Sequence, residues 1–435
     1  MPGRRDNRLS GGAGVGKKLL NFLPGQGGLE VLKEKVRNRV LDMVEREELL
    51  DLLQELIKIP SHKQVEWQED RVVQFIYNYL QGAGFSDLKL QYIMENRPNI
   101  LARLPGKGGG RSLLFNGHTD TVPPYNMVIH PHQPLIKDGF LYGLGAVDMK
   151  GSLAAMLLAM VLVKRAGIAL QGDLLFTGVI DQEQCSLGTV DLVRRGFKAD
   201  YAVVGEPTNL DICVAHKGME WMKIIVRGRS AHGSTPDKGR NPIYMGARIA
   251  REIEKLNNRL QDKYHPLVGS PSINVGVMSG GDDPNIVPQV CFLELDRRWT
   301  PEETLESLYR DVEQILNRLK LAYPGYQYEL LPMDYRTCPL RNIPLDVDPD
   351  ELIVRSLRRN LKEFTGKDSG STSFRGWSDA ALLSRDLGIP AVVFGPGQLE
   401  KAHAADEGVE IEKLMIALRV YLGLILDICG CSEEG

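Results

Sequence analysis

The stretch Leu113-Leu114-Phe115-Asn116-Gly117-His118-Thr119-Asp120 constrains this chain more than any other. An apolar strand ends there in a histidine, with a carboxylate two residues on. Neutral imidazole is a good zinc ligand, and a nearby carboxylate can hold its other ring nitrogen in the correct tautomer. Alone the triplet is weak, because histidine and aspartate share many loops. Its weight comes from further carboxylates and a second histidine, each at the end of its own strand-like run.

Strands and helices alternate around it. Helical periodicity runs from Leu29 to Val44, over 47–57 and over 70–83. Strand signals follow at 99–104 and 112–116, then a helix at 149–166, a strand at 173–180, a helix at 189–195 and a strand at 201–205. This order favours a largely parallel sheet covered on both faces, an α/β arrangement. The character then changes. Strand signals at 212–217 and 220–228, a helix at 241–260, strands at 271–278 and 289–297, a helix at 301–319 and a strand at 326–331 give the split order of a small α+β sandwich. The first pattern resumes after Asp334, with helices at 349–365 and 379–387, a strand at 391–394 and a terminal helix at 410–427. One domain is therefore expected inside another. Residues 1–44 read as an N-terminal extension, 45–212 with 334–435 as a discontinuous catalytic domain, and 213–333 as the insert.

At 435 residues the chain is long enough for two cores, and 25% charged residues is ordinary for a globular protein. A net charge of −3 gives no basis for a nucleic-acid partner. No segment approaches the roughly 20 apolar residues that span a bilayer, so no membrane association is expected. The basic start Met1-Pro2-Gly3-Arg4-Arg5 is followed by too short an apolar run for a signal peptide, which makes a cytoplasmic location the default. Six cysteines are scattered without zinc-ribbon spacing and read as reduced thiols. Gly11-Gly12-Ala13-Gly14-Val15-Gly16-Lys17 imitates a phosphate-binding loop, but Lys18 stands where Ser or Thr belongs and no strand precedes it. It reads as a glycine-rich tail.

Four sites join His118. Asp148 lies in a glycine-rich turn just before a helix, where an N-cap is the ordinary alternative. Asp181-Gln182-Glu183 leaves one strand, and Glu206 leaves the next. His403 follows the last strand. In an open α/β sheet such ends converge at the carboxyl edge, where ligands bind. Two histidines and three carboxylates there suit zinc, with cobalt or manganese as alternatives.

These motifs, in this order, resemble the co-catalytic zinc aminoacylase/carboxypeptidase family that contains acetylornithine deacetylase, succinyl-diaminopimelate desuccinylase, aminoacylase and the glutamate carboxypeptidases. The resemblance covers about residue 45 to the C-terminus. It implies a zinc-aminopeptidase-like catalytic domain carrying a ferredoxin-like dimerisation (lid) domain, and two Zn2+ ions. Asp148 would bridge them, His118 and Glu206 completing one position and Glu183 and His403 the other. Asp120 would orient His118. The metal pair would polarise an amide carbonyl and acidify water. His232 in Gly228-Arg229-Ser230-Ala231-His232-Gly233 would stabilise the oxyanion from the partner subunit of a homodimer. Asn285, Arg298 and Ser378 match substrate-contacting positions, and a guanidinium suits a carboxylate. An ion pair with Asp296 or Glu294 is the plainer reading of Arg298, as helix capping is of Asp379.

One position breaks the pattern. Relatives carry Asp-Glu-Glu where this chain has Asp181-Gln182-Glu183, and their first glutamate is the general base. Cys185-Ser186-Leu187-Gly188-Thr189 fixes the register, although Cys185 stands where glycine is common. A neutral amide cannot take a proton from water or return it to the leaving amine. Turnover should therefore be low while metal and substrate binding survive, either through a deliberate, complex-trapping Glu→Gln change or in a natural member with altered activity. The completeness of the remaining site favours the first. The expected reaction is hydrolysis of a small N-acyl amino acid or peptide-like substrate by a deacylase. A dipeptidase or carboxypeptidase, a non-catalytic metal-dependent binding protein and a single-zinc site are the alternatives.

Overall fold

The structure, a computed structural model, describes residues 26–333 and 340–432. The readings on the first 25 residues, on Cys338 and on the junction at 334 lie outside the described residues. Four parallel strands form the centre of the larger sheet, in the order Leu174–Val179, Leu113–His118, Tyr201–Val204, Ala391–Val393. Leu113–His118, Tyr201–Val204 and Ala391–Val393 are buried at every residue. That explains why they lack polar–apolar alternation, because a strand covered on both faces has no side to give to water. Parallel pairing brings the carboxyl ends of all four to one edge.

The margins of this sheet are antiparallel. Arg97–Leu104 pairs antiparallel with Leu174–Val179 and with Asp87–Met94. On the other flank Ile212–His216 runs antiparallel to Ala391–Val393 and Leu345–Asp346, and parallel to Ser371–Ser373. The sheet is thus parallel at its centre and mixed overall. Ile212–His216, expected with the small sandwich, joins the large sheet instead, and all five of its residues are buried there. Its apolar run satisfies itself in the larger core.

Helix Lys150–Arg165 is buried from Lys150 to Val163. A helix apolar on all sides belongs inside, and this one packs between Arg46–Lys58 and Ile411–Cys429. Helix Gln26–Leu41 also packs on Ile411–Cys429, with Val36 and Val40 buried in the same core. Part of the expected extension therefore contributes to that core.

The smaller sheet is antiparallel, in the order Ser272–Gly280, Val290–Trp299, Gly218–Arg227, Gln327–Pro332. With helices Pro242–Leu260 and Leu305–Ala322 it makes the expected ferredoxin-like sandwich around its own core. Val290–Trp299 alternates strictly between buried and half-buried residues, the mark of a sheet covered on one face. Helix Pro242–Leu260 buries Met245, Ile249, Ile253, Leu256 and Leu260, one stripe at helical spacing. Asn241 accepts the Ile243 N–H at its start, and Thr304 and Ser307 cap the second helix reciprocally.

Candidate metal centre

The parallel centre delivers one group per strand end. His118 closes its strand, Asp181 to Glu183 follow Leu174–Val179, and Glu206 comes two residues after Tyr201–Val204. His403 arrives from the loop beyond Ala391–Val393, and Asp148 from the turn before helix Lys150–Arg165. Gly395 permits the close approach of two of these ends, since a Cβ there would meet the Glu206 carbonyl oxygen at 2.6 Å.

Asp148 lies between the two histidines. Its Oδ1 is 3.0 Å from His118 Nε2 and its Oδ2 is 3.3 Å from His403 Nε2. His403 Nε2 is also 2.9 Å from Glu183 Oε1, and His118 Nε2 is 3.9 Å from Glu206 Oε1. One ligand atom each from His118, Asp148 and Glu183 fall within 4.8 Å of one another. The five residues expected to hold metal therefore meet, in two groups that share Asp148.

Electrostatics in this cluster call for cations. Burial, and then the charge of Asp148, push Glu206 well above the ordinary carboxylate range. Burial likewise raises Glu183. Burial opposes ionisation of Asp148 too, but hydrogen bonds with His118 and His403 outweigh it and hold the carboxyl below its ordinary range. Hydrogen bonds to Asp148 and Glu183 lift His403 to about 10. Glu206 Oε1 is buried with no hydrogen-bond partner among the described residues. An orphaned carboxylate oxygen beside two other carboxylates and two imidazoles fits a divalent-cation site.

Asp120 contacts His118 through backbone and side chain. His118 Nδ1 lies 2.9 Å from the Asp120 backbone carbonyl and 3.5 Å from its carboxylate. The carboxylate oxygens also accept the N–H groups of Gln182, at 3.1 Å, and Glu183, at 2.9 Å. Asp120 thus holds both His118 and the loop bearing residue 182. Gln182 itself is half-buried on that loop. Asp181, Ser186 and His403 adopt left-handed backbone, with φ of 69°, 47° and 59°. Non-glycine residues there cost roughly 1–3 kcal/mol each and cluster at functional sites.

His232 and Asn285 sit together on the smaller unit. Ala231–His232 pairs with Ile286–Val287, and the Gly233 N–H donates to the Asn285 carbonyl at 2.6 Å. His232 is exposed, and no hydrogen bond joins it to the cluster around Asp148 among the described residues. Arg298 makes the plainer of its two expected contacts, an ion pair with Asp296 at 3.0 Å. Ser378 is buried, its hydroxyl unpartnered among the described residues, and Asp379 accepts the Thr189 hydroxyl at 2.6 Å rather than capping its helix. A cavity of about 140 Å3 opens beside His403, lined also by Val122, Pro123, Tyr125, Met127 and Leu144.

Sequence reasoning missed the groups that hold these loops. Arg97 pairs bidentately with buried Glu69, at 2.7 Å for each bond, and reaches Asp181 Oδ1 at 2.9 Å. Glu407, pushed up to about 7 by burial and then by the charge of Asp148, accepts the N–H groups of Val147 and Asp148. No local pattern marks such residues. The acidic Asp406-Glu407 pair, three and four residues past His403, was the one available signal.

A parallel-centred α/β sheet with a ferredoxin-like insert and two histidines among three carboxylates at its edge is the architecture of a metallo-hydrolase. The profile of peptidase family M20/M25/M40 matches residues 114–427, and the chain belongs to that family of metal-dependent hydrolases. Acetylornithine deacetylase of Vibrio cholerae is 29% identical over 382 residues, which is 85% of this chain and 95% of the relative. N-formyl-4-amino-5-aminomethyl-2-methylpyrimidine deformylase of Bacillus subtilis is 27% identical over 423 residues, 89% and 96% of the two chains. The crystal structure of aminopeptidase PepT from Bacillus cereus superposes with a TM-score of 0.73 at 22% identity, covering 89% of this chain and 99% of that one. Among the described residues no helix is long and apolar enough to cross a membrane.

Proposed function

We propose that this chain is a dinuclear amidohydrolase, a deacylase acting on a small N-acyl amino acid or peptide-like substrate, with turnover limited by Gln182. The observation that carries the reading is Asp148, whose two oxygens face different histidines while Glu206 keeps a buried oxygen without a hydrogen-bond partner among the described residues. His118 and Glu206 would hold one zinc ion, Glu183 and His403 the other, and Asp148 both. Two such cations supply Lewis-acid polarisation of an amide carbonyl and acidification of water.

The chain's own residues do the rest. Asp120 and Asp181 hold the loop that presents residue 182 to the reacting water. A glutamate there takes the proton and returns it to the leaving amine, whereas the Gln182 amide does neither. His232 accepts the Ser234 N–H on Nδ1 at 3.1 Å, so Nε2 is the nitrogen that would donate to an oxyanion. In a homodimer that donor would serve the partner's site. The sheet supports such pairing, because Ser272–Gly280 is an edge strand with Val277 and Met278 exposed. Asn285, Arg298 and Ser378 would contact the substrate. Relatives that remove acetyl and formyl groups support a deacylase over a dipeptidase or carboxypeptidase.

Gln182 by itself favours a second reading, a metal-dependent binding protein that does no chemistry. Gln182→Glu with added zinc separates the two. Across N-acyl amino acids and dipeptides the variant should gain about 10²–10⁴-fold in turnover over the parent, the usual contribution of positioned acid–base catalysis. A zinc-loaded variant that hydrolyses nothing in the panel would favour the binding protein.

A further inference from the structure

The turn that carries Asp148 and the loop that carries His403 are fastened to each other, and Glu407 is the fastening. Its side chain is buried, and its Oε1 accepts the N–H of Val147 at 3.0 Å and of Asp148 at 3.1 Å. Its backbone carbonyl accepts the Gly143 N–H at 3.1 Å. The next three residues, Gly408–Glu410, pair with Phe140–Tyr142, the segment that runs directly into the same turn. On the His403 side, the Ala405 carbonyl accepts the Val128 N–H at 2.9 Å. The turn has little stiffness of its own. Gly143 and Gly145 have φ of 154° and 79°, and glycine at such angles loses more conformational freedom on ordering than any other residue. Its shape must be imposed from outside, and the contacts from residues 407–410 impose it.

We propose that Glu407 is a positioning residue that sets Asp148 against His403, so that both metal positions depend on one carboxylate outside the ligand set. The inference rests on the dinuclear reading above. Its operative property is reach: an oxygen acceptor held two methylenes from the backbone, within hydrogen-bond distance of two successive N–H groups. Because Asp148 is shared, displacing it weakens both positions together. Partners that orient metal ligands typically contribute about 10–100-fold to affinity.

Two substitutions separate reach from charge. Glu407→Gln keeps the oxygen at the same distance and removes the charge, whereas Glu407→Asp keeps the charge and withdraws the oxygen by one methylene. Zinc affinity at each position is read by competition with a chromogenic chelator, alongside urea unfolding of the metal-free proteins. Glu407→Asp should lose about 10–100-fold in affinity at both positions, and Glu407→Gln should stay close to the parent. A purely structural Glu407 would instead lower the urea midpoint of Glu407→Asp and leave its zinc affinity at the parental value. That result, a loss confined to one position, or Gln binding more weakly than Asp, overturns the proposal. Should the parent bind two ions tightly, any such failure belongs to Glu407 alone. A parent that binds none removes the metal centre and this inference with it.

Discussion

At Asp148 a single carboxylate faces two imidazoles, one on each oxygen. Coulomb repulsion among Asp148, Glu183 and Glu206 in a buried setting is severe without positive charge between them. His118, Glu183 and Glu206 were legible in the sequence as candidate ligands because each closes or follows an apolar strand run, and parallel strands put such ends on one edge, whereas Asp148 and His403 were legible through the motifs around them. Residue 182 was legible for another reason: its neighbours fix its register. His216 was not singled out. It is fully buried, its Nδ1 donating to the Lys217 carbonyl at 3.0 Å, and burial pushes it down to about 4 from an ordinary 6.5. Between those values the unfolded chain takes up a proton that the folded chain refuses. Stability from this group is therefore complete above about pH 6.5 and is lost progressively as the solution is acidified towards pH 4. Urea unfolding of the parent and of His216→Asn, at about pH 7 and about pH 5, should show the larger acid-induced fall in the parent. Equal falls would contradict the assignment.

At the scale of elements, the loop from Asp181 to Ser186 owes its shape to neighbours rather than to its own sequence. The Asp181 carbonyl accepts N–H groups from Cys185 and Ser186, and its carboxylate is held by Arg97 from the adjacent strand pair. Arg97→Met would leave Glu69 and Asp181 buried without their cation, at a cost of about 3–5 kcal/mol in unfolding free energy. Denaturant titration measures this directly, and a loss under about 1 kcal/mol would mean the clamp is marginal. Strand Asp87–Met94, which pairs with the Arg97 strand, escaped the sequence reading although Leu88, Leu90 and Tyr92 alternate with Asp87, Lys89 and Gln91, the period of a half-buried strand. The three-residue strands Leu135–Lys137, Phe140–Tyr142 and Gly408–Glu410 escaped it because nothing so short has a detectable period. Buried strands and long amphipathic helices were readable throughout. Their positions follow from burial alone, whereas the short strands exist through tertiary pairing.

For the whole molecule, two hydrophobic cores among the described residues separate a sheet that gathers His118, Asp148, Glu183, Glu206 and His403 from a sandwich that carries His232 on an exposed ribbon. If His232 serves a partner, the sandwich must dimerise. Val277→Lys combined with Met278→Lys should turn a dimer into a monomer by sedimentation velocity, and a parent that sediments as a monomer would contradict the assembly. The insert was readable as a change of pattern, from alternating strands and helices to the split sandwich order. Its sheet edge was not, because the sequence does not say which strand lies outermost. Crystallography of the zinc-loaded chain, with anomalous data at the zinc edge, puts the dinuclear centre to the test. Two zinc peaks per chain are expected, one beside His118 and Glu206 and one beside Glu183 and His403, both bound to Asp148. A single peak at saturating zinc, or two peaks with Asp148 bound to neither, would contradict it.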